Sequence, residues 1–279
     1  MTVLQVGKLC KTYPGRRGAE PVVAANKISF EVEAGGSLGI VGESGSGKTT
    51  VARMLVGLVR PDEGTVTIDG QELLQDRRGR AARLRRARSI QMVFQDPYTS
   101  LDRRLTVEGC LRDVLRRHRA GLTKAQYAGE IADLLDQVGL ASRLATSRPH
   151  ELSGGQRQRV AIAKALAVRP KVLVLDEAVS ALDVSVQARI LALLNEIRAG
   201  LGIGLVFVSH DLAVVGEVTD RILVMYQGIA VEQNFTAGLL RRPEHPYTQM
   251  LLSSAPGPGW QPERVAELRA AFALTEGRR

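Results

Sequence analysis

The chain predicts an α/β fold: a largely parallel sheet covered on both faces by helices, preceded by a first stretch of strands and interrupted by an inserted helical subdomain. Three observations predict it. In the C-terminal half, short apolar strands alternate with helical segments, the pattern of a parallel sheet packed between helices. Residues 42–49 read GESGSGKT between an apolar strand and a helix. From about 96 to 150 the alternation yields to helical periodicity, first at Val107, Leu111, Val114 and Leu115, then at Ile131, Leu134, Leu135 and Val138.

The elements follow in order. Ile28, Phe30 and Val32 alternate with Ser29, Glu31 and Glu33, so this strand buries one face. Ala34-Gly35-Gly36 turns the chain into a short apolar strand at 37–41, and the glycine loop follows. A helix runs from Thr49 toward Leu58 and breaks at Arg60-Pro61-Asp62-Glu63-Gly64. Residues 65–68 with Asp69-Gly70 read as strand and turn, and 90–94 as a strand ending at Gln95. After the helical insert come a helix through Ala167, strand 172–175, helix 184–199, strand 204–209, helix 212–218 and strand 222–226. From Thr236 onward, Pro243, Pro246, Pro256, Pro258 and Pro262 predict an irregular, appended extension. The expected organisation is a core of 1–235 with the insert inside it, and an extension of 236–279.

Composition excludes several classes. With 44% hydrophobic and 24% charged residues, the chain is globular rather than disordered. The apolar run 160–175 is broken by Lys164, Arg169 and Lys171, and residues 1–10 carry no leader-like stretch, so a membrane role requires separate subunits. Cys10 and Cys110 lack CxxC spacing and read as idle thiols in a reducing cytoplasm. Much of the net charge of +9 comes from Arg77, Arg78, Arg80, Arg83, Arg85, Arg86 and Arg88. No aromatics are interleaved for base stacking, so no nucleic acid is expected. The run reads as a solvated helix face, with an anionic membrane surface as the alternative.

The chemistry resides in a few motifs. Gly42-Glu43-Ser44-Gly45-Ser46-Gly47-Lys48-Thr49-Thr50 is a phosphate cradle. Its glycines let backbone N–H groups converge on phosphate oxygens at a helix N-terminus. Lys48 should reach the β- and γ-phosphates, and Thr49 should bind Mg²⁺. Asp176 ends a buried strand, where a carboxylate needs a partner, and Mg²⁺ would supply one. Glu177 can then polarise or orient the water that attacks the γ-phosphorus. His210, after another strand, is placed to hold that water and the γ-phosphate. Gln95 ends a strand at the helical insert and can touch metal or water. Tyr13 is a candidate for stacking on adenine. Ser153-Gly154-Gly155, with Gln156, caps a helix and suits an anion, yet lies across the insert from the cradle. A second phosphate site on one chain makes sense if it serves a neighbour's nucleotide. Ser180-Ala181-Leu182-Asp183 would then line the junction.

In this order and spacing the residues resemble the nucleotide-binding subunit of ABC transporters, over nearly the whole chain. The resemblance covers Tyr13, the Walker A loop at 42–49, Gln95, the signature at 152–156, Walker B at 172–177, the D-loop at 180–183 and the switch His210. It implies a P-loop NTPase core of ABC type with an N-terminal antiparallel β region and an inserted helical subdomain, and a head-to-tail dimer sandwiching two ATP molecules with Mg²⁺. Closure of that dimer would drive a membrane partner. Phe94-Gln95-Asp96-Pro97-Tyr98, the run from Ser180 to Ala188, and His245-Pro246-Tyr247-Thr248-Gln249 resemble the oligopeptide, dipeptide and nickel importer branch. That branch implies separate permease subunits, a second ATPase subunit (a sister or a second copy), an extracytoplasmic solute-binding protein acting indirectly, and a peripheral position on the cytoplasmic face of the membrane. Three departures stand out. Ala178 replaces the usual Pro after the glutamate, Arg104 replaces a common Pro, and the extension lacks the cysteines of an iron–sulfur cluster. Two other readings are an ABC-type ATPase acting on nucleic acid or ribosomes, and a subunit of a soluble non-transport complex. Relatives of the first kind carry paired cassettes or a long coiled coil, and this chain has neither.

Overall fold

Two sheets arise from two residue patterns. The computed structural model describes residues 1–15, 20–73, 79–96, 100–254 and 272. Strands β1 (Thr2–Tyr13) and β2 (Val22–Glu33) pair antiparallel, β4 (Glu63–Ile68) joins the other side of β1, and β5 (Gln71–Glu72) completes the order β2-β1-β4-β5. The alternation at Ile28, Phe30 and Val32 is the buried face of β2. β1 has a weaker sequence signal because its register shifts between Val6 and Leu9, around the positive φ of Lys8, and so breaks the period of two.

The second sheet has the order β10-β9-β3-β8-β7-β6. Its parallel strands are β3 (Ser37–Val41), β6 (Ile90–Val93), β7 (Val172–Asp176), β8 (Gly204–Ser209) and β9 (Arg221–Tyr226). β10 (Ile229–Phe235) closes one edge antiparallel to β9. Every residue of β3, β7 and β8 is buried, as unbroken aliphatic runs require when both faces are covered. Alternate side chains serve different cores. Val172 and Val174 pack with the antiparallel sheet and α1 (Lys48–Leu55), whereas Leu173 and Leu175 pack with α5 (Gly154–Leu166), α6 (Val184–Leu201) and α7 (Leu212–Val218).

Between β5 and β7 lie α2 (Arg80–Ser89), α3 (Val107–His118) and α4 (Lys124–Gln137). Thr106 and Thr123 cap α3 and α4 with their side chains, and Leu111, Leu115, Ile131, Leu134, Leu135 and Val138 form the buried stripe that the periodicity predicts. α2 departs from a purely solvated face. Arg86 donates to the Leu73 carbonyl (3.1 Å) and Arg88 to the His118 carbonyl (2.5 Å), while Arg83 and Arg85 are exposed; Arg77 and Arg78 lie outside the described residues. α1 also stops short of Leu58, because the chain turns at Gly57 with φ +72. Among the described residues no helix is long and apolar enough to cross a membrane.

The expectation of an irregular, appended C-terminus is corrected for residues 236–254. α8 (Thr236–Arg241) and α9 (Pro246–Ser253) are helical, and Leu239, Tyr247, Met250 and Leu251 pack into the same core as the helices over the sheet. Proline misleads here because Pro246 sits in the first turn of α9, where its missing N–H is not needed. Pro256, Pro258 and Pro262 lie outside the described residues.

Candidate functional site

The chemical groups gather at the C-terminal edge of the parallel sheet. The glycine loop follows β3, Gln95 follows β6, Asp176 ends β7 with Glu177 next, and His210 follows β8. In space β3, β8, β7 and β6 are consecutive neighbours, so four strands far apart in sequence deliver their ends to one crevice.

Gly42 and Gly47 give the loop its shape. Their φ values are +151 and +101, and a Cβ would lie 2.1 Å from the Met225 carbonyl oxygen at Gly42 and 1.9 Å from the Ala24 carbonyl oxygen at Gly47. Glu43, Ser44 and Gly45 form the exposed crest, while Ser46 is buried. Gly47 caps α1 without a side-chain oxygen, which leaves the first-turn N–H groups, including those of Thr49 and Thr50, suited to an anion. Lys48 is buried, and its ammonium donates to the carbonyls of Gly42 (2.7 Å) and Glu43 (2.8 Å) and to Ser46 Oγ (3.4 Å). Burial pushes its pKa below the ordinary lysine value, and the charges of Glu177, Asp176 and Glu43 oppose that shift.

Thr49 Oγ1 donates to Asp176 Oδ1 at 3.0 Å. Asp176 is buried, and burial raises its pKa against the opposing pull of the Thr49 hydroxyl, Arg53 and Lys48. A hydroxyl beside a carboxylate that burial leaves undercompensated is a donor set that fits a hard divalent cation. Among the described residues no cluster of three His, Cys, Asp or Glu side chains forms a protein cage, so such an ion would depend on phosphate and water for its other ligands.

Glu177 has φ +49, and its N–H donates to the Val208 carbonyl (2.9 Å), which ties the turn after β7 to β8. Its carboxylate Oε1 lies 3.5 Å from His210 Nδ1. The side chain of Gln95 contacts neither Thr49 nor Asp176 by hydrogen bond among the described residues. Its Nε2 donates to Ser180 Oγ (3.4 Å), and that hydroxyl donates to the Glu177 carbonyl (2.9 Å). Ser180 thus links the start of the helical insert to the acidic turn. Ala178 is buried in the core there, and Arg104 pairs with Asp102 at 2.9 Å.

Other predicted residues lie apart. Ser153 caps α5 in a reciprocal box with Gln156: Ser153 Oγ accepts from the Gln156 N–H (3.3 Å), and Gln156 Oε1 accepts from the Ser153 N–H (2.9 Å). Gly154 and Gly155 open that helix. A Cβ at Gly155 would lie 2.4 Å from Val186 Cγ1, so close packing on α6 by itself requires glycine there. Asp183 caps α6, and the Val186 N–H and Ser185 hydroxyl hold its carboxyl below the usual carboxylate range. Among the described residues none of Ser153, Gln156 and Asp183 hydrogen-bonds residues 42–50. Tyr13, at the end of β1, is partly exposed with the Lys11 ammonium 5.5 Å from its ring centroid. A cleft of about 600 Å³ between α4 and the β7 side of the core, lined by Asp69, Glu130, Arg169 and Lys171, contains none of the predicted site residues. One contact escaped the sequence reading. Tyr247 OH accepts the Glu43 N–H at 2.9 Å; its signal was present in His245-Pro246-Tyr247, read only as a branch marker.

The ABC transporter family profile matches residues 25–180. The chain belongs to the ABC transporter family. This cassette is 45% identical over 261 residues to a probable peptide ABC transporter ATP-binding protein, y4tS, of Sinorhizobium fredii, covering 92% of this chain and 73% of that protein. It is 45% identical over 259 residues to the glutathione import ATP-binding protein GsiA of Pectobacterium atrosepticum, covering 91% of this chain but 41% of GsiA. The cassette thus spans about two fifths of the length of the GsiA relatives it matches. Among solved structures it resembles the ATP-binding cassette MJ0796 in a dimeric post-hydrolysis state bound to ADP and Pi, with TM-score 0.73, 29% identity, and coverage of 84% of this chain and 98% of that one. It also resembles cbiO1 of Clostridium perfringens, part of the cbiONQ transporter complex, with TM-score 0.75, 28% identity, and coverage of 86% and 91%.

Proposed function

We propose that the cassette binds and hydrolyses ATP and energises import of a peptide-like solute through separate permease subunits. The observation that carries this reading is the convergence of Lys48, the Thr49–Asp176 pair and the Glu177–His210 pair at one sheet edge. The names of the peptide and glutathione import relatives support the solute class. Residues 1–235 form the nucleotide-binding unit and 236–279 an extension, of which Leu239, Tyr247, Met250 and Leu251 pack into the core. The chain works at the membrane surface.

In this reading the first-turn N–H groups of α1 hold the phosphates, and Lys48, kept in place by the Gly42 carbonyl, exchanges its Glu43 and Ser46 partners for β- and γ-phosphate oxygens. Tyr13 stacks on the adenine. Thr49 and Asp176 would hold Mg²⁺, with Gln95 approaching when the helical insert moves. When bound, that ion supplies positive charge against the charge that builds on the phosphate oxygens. Glu177 accepts a hydrogen bond from the attacking water, and His210 holds Glu177 and the water in place. The water oxygen bonds to the γ-phosphorus while the bond to the β–γ bridging oxygen breaks, so ADP leaves with that electron pair and inorganic phosphate forms. Ser153, Gly154, Gly155, Gln156 and Asp183 serve a second cassette's nucleotide, in a sister subunit or a second copy. The exposure of Ser153 and its distance from hydrogen-bonding reach of its own loop support that arrangement.

Glu177→Gln tests the reading. It should leave ATP binding intact, lower turnover by about 10²-fold or more, and accumulate a nucleotide-bound dimer in size-exclusion chromatography. Turnover within twofold of the unmodified protein would remove Glu177 from the role.

A further inference from the structure

His245-Pro246-Tyr247 has a local physical logic. Glu232 on β10 receives the N–H groups of Glu244 and His245 in its two carboxylate oxygens, each at 3.0 Å. His245 Nδ1 then accepts the Tyr247 N–H at 3.1 Å and caps α9, with Pro246 in the first turn. The chain is thereby stopped, capped and redirected within three residues, and the Tyr247 side chain is fully buried. Its ring centroid lies 4.5 Å from that of Tyr226 and 5.6 Å from that of Phe272.

The tip of Tyr247 meets the glycine loop. Its hydroxyl accepts the Glu43 N–H at 2.9 Å. That N–H belongs to the same peptide unit as the Gly42 carbonyl, which accepts from the Lys48 ammonium at 2.7 Å. One peptide plane is therefore held at both ends, and it adjoins Gly42, the residue whose missing Cβ permits φ +151. Burial pushes the Tyr247 phenol up to about 12, so the hydroxyl stays neutral and available as an acceptor near neutral pH. The adjacent Thr248 hydroxyl, equally buried, has no hydrogen-bond partner among the described residues, so burial of a hydroxyl on α9 is not in itself a link to the loop.

We propose that Tyr247 is a positioning residue of the nucleotide site: by accepting the Glu43 N–H it orients the Gly42–Glu43 peptide toward Lys48, so that the C-terminal segment sets the affinity of the loop for nucleotide. The inference rests on the reading of residues 42–50 as that site. It is tested on the full chain by comparing Tyr247→Phe with Thr248→Val. Tyr247→Phe removes the acceptor of the Glu43 N–H. Exchange of the Glu43 amide in nucleotide-free protein should accelerate about tenfold, and Kd and KM for a fluorescent ATP analogue and ATP should rise about fivefold or more. Turnover at saturating ATP should stay within about twofold, a split that general loss of structure would not produce. Thr248→Val should change none of these. Should Tyr247→Phe fold poorly, 3-fluorotyrosine in place of Tyr247 keeps the ring and weakens the acceptor oxygen, and a smaller shift in the same direction is expected. Unchanged Glu43 exchange, an unchanged Kd, or a fall in turnover at constant KM would overturn the proposal. A parent protein that binds no nucleotide would instead end the reading of the site, while Glu43 exchange would still report the hydrogen bond.

Discussion

Gly47→Ala and Gly45→Ala separate two costs that a glycine-rich loop conceals. Both positions have positive φ, +101 and +85, so alanine at either is strained by roughly 1–2 kcal/mol. Only Gly47 also meets a wall. Its Cβ would lie 1.9 Å from the Ala24 carbonyl oxygen, whereas at Gly45 nothing among the described residues lies within 4 Å. The Ala24 oxygen is backbone in β2, so relief requires moving the strand or the loop, an overpacking cost of roughly 1–3 kcal/mol more. Totals of roughly 2–5 and 1–2 kcal/mol correspond, at roughly 2–4 °C per kcal/mol, to Tm losses of about 4–20 °C for Gly47→Ala and about 2–8 °C for Gly45→Ala. Calorimetry supplies the Tm, and titration with a fluorescent ATP analogue supplies the affinity, which Gly47→Ala should lose and Gly45→Ala largely keep. Equal melting losses in the two variants, or full nucleotide affinity in Gly47→Ala, would refute the contact argument.

Two further perturbations address the charged site and the cap of α5. Burial raises the pKa of Asp176 in the folded chain, so between 3.8 and that raised value the folded state binds more protons than the unfolded state, and the penalty of the buried carboxylate is present above the window and fades as pH falls through it. Asp176→Asn should therefore abolish hydrolysis yet melt above the parent at neutral pH, by about 2–4 °C per kcal/mol relieved, with the gap closing below pH 3.8; a gap independent of pH would count against the cause. Ser153→Arg removes an exposed helix cap and should cost about 1 kcal/mol in stability while blocking hydrolysis and sparing nucleotide binding. Turnover at the parent rate would show that residue 153 faces no neighbouring site.

Much of the fold is legible because it rests on local chemistry. The aliphatic runs of β3, β7 and β8 can only be doubly covered strands, and the stripe from Val107 to Val138 can only be the buried face of helices. The bulged first strand and the helical C-terminus were less legible, since a register shift destroys periodicity and a proline marks a helix start as readily as a break. Arg86 shows a similar limit, because nothing local says that one guanidinium of seven will reach the Leu73 carbonyl.

The candidate site divides the same way. Glycine, lysine, threonine and the acid pair announce a phosphate cradle and a cation site because their chemistry is intrinsic to side-chain type and spacing. Tertiary structure alone decides that β8 lies between β3 and β7, so that His210 arrives 3.5 Å from Glu177, that Gln95 reaches Ser180, and that Tyr247 touches Glu43 from 204 residues away. Strand order and contacts of that range are set by how whole faces bury against one another, a property of the packed chain that no short window of sequence contains.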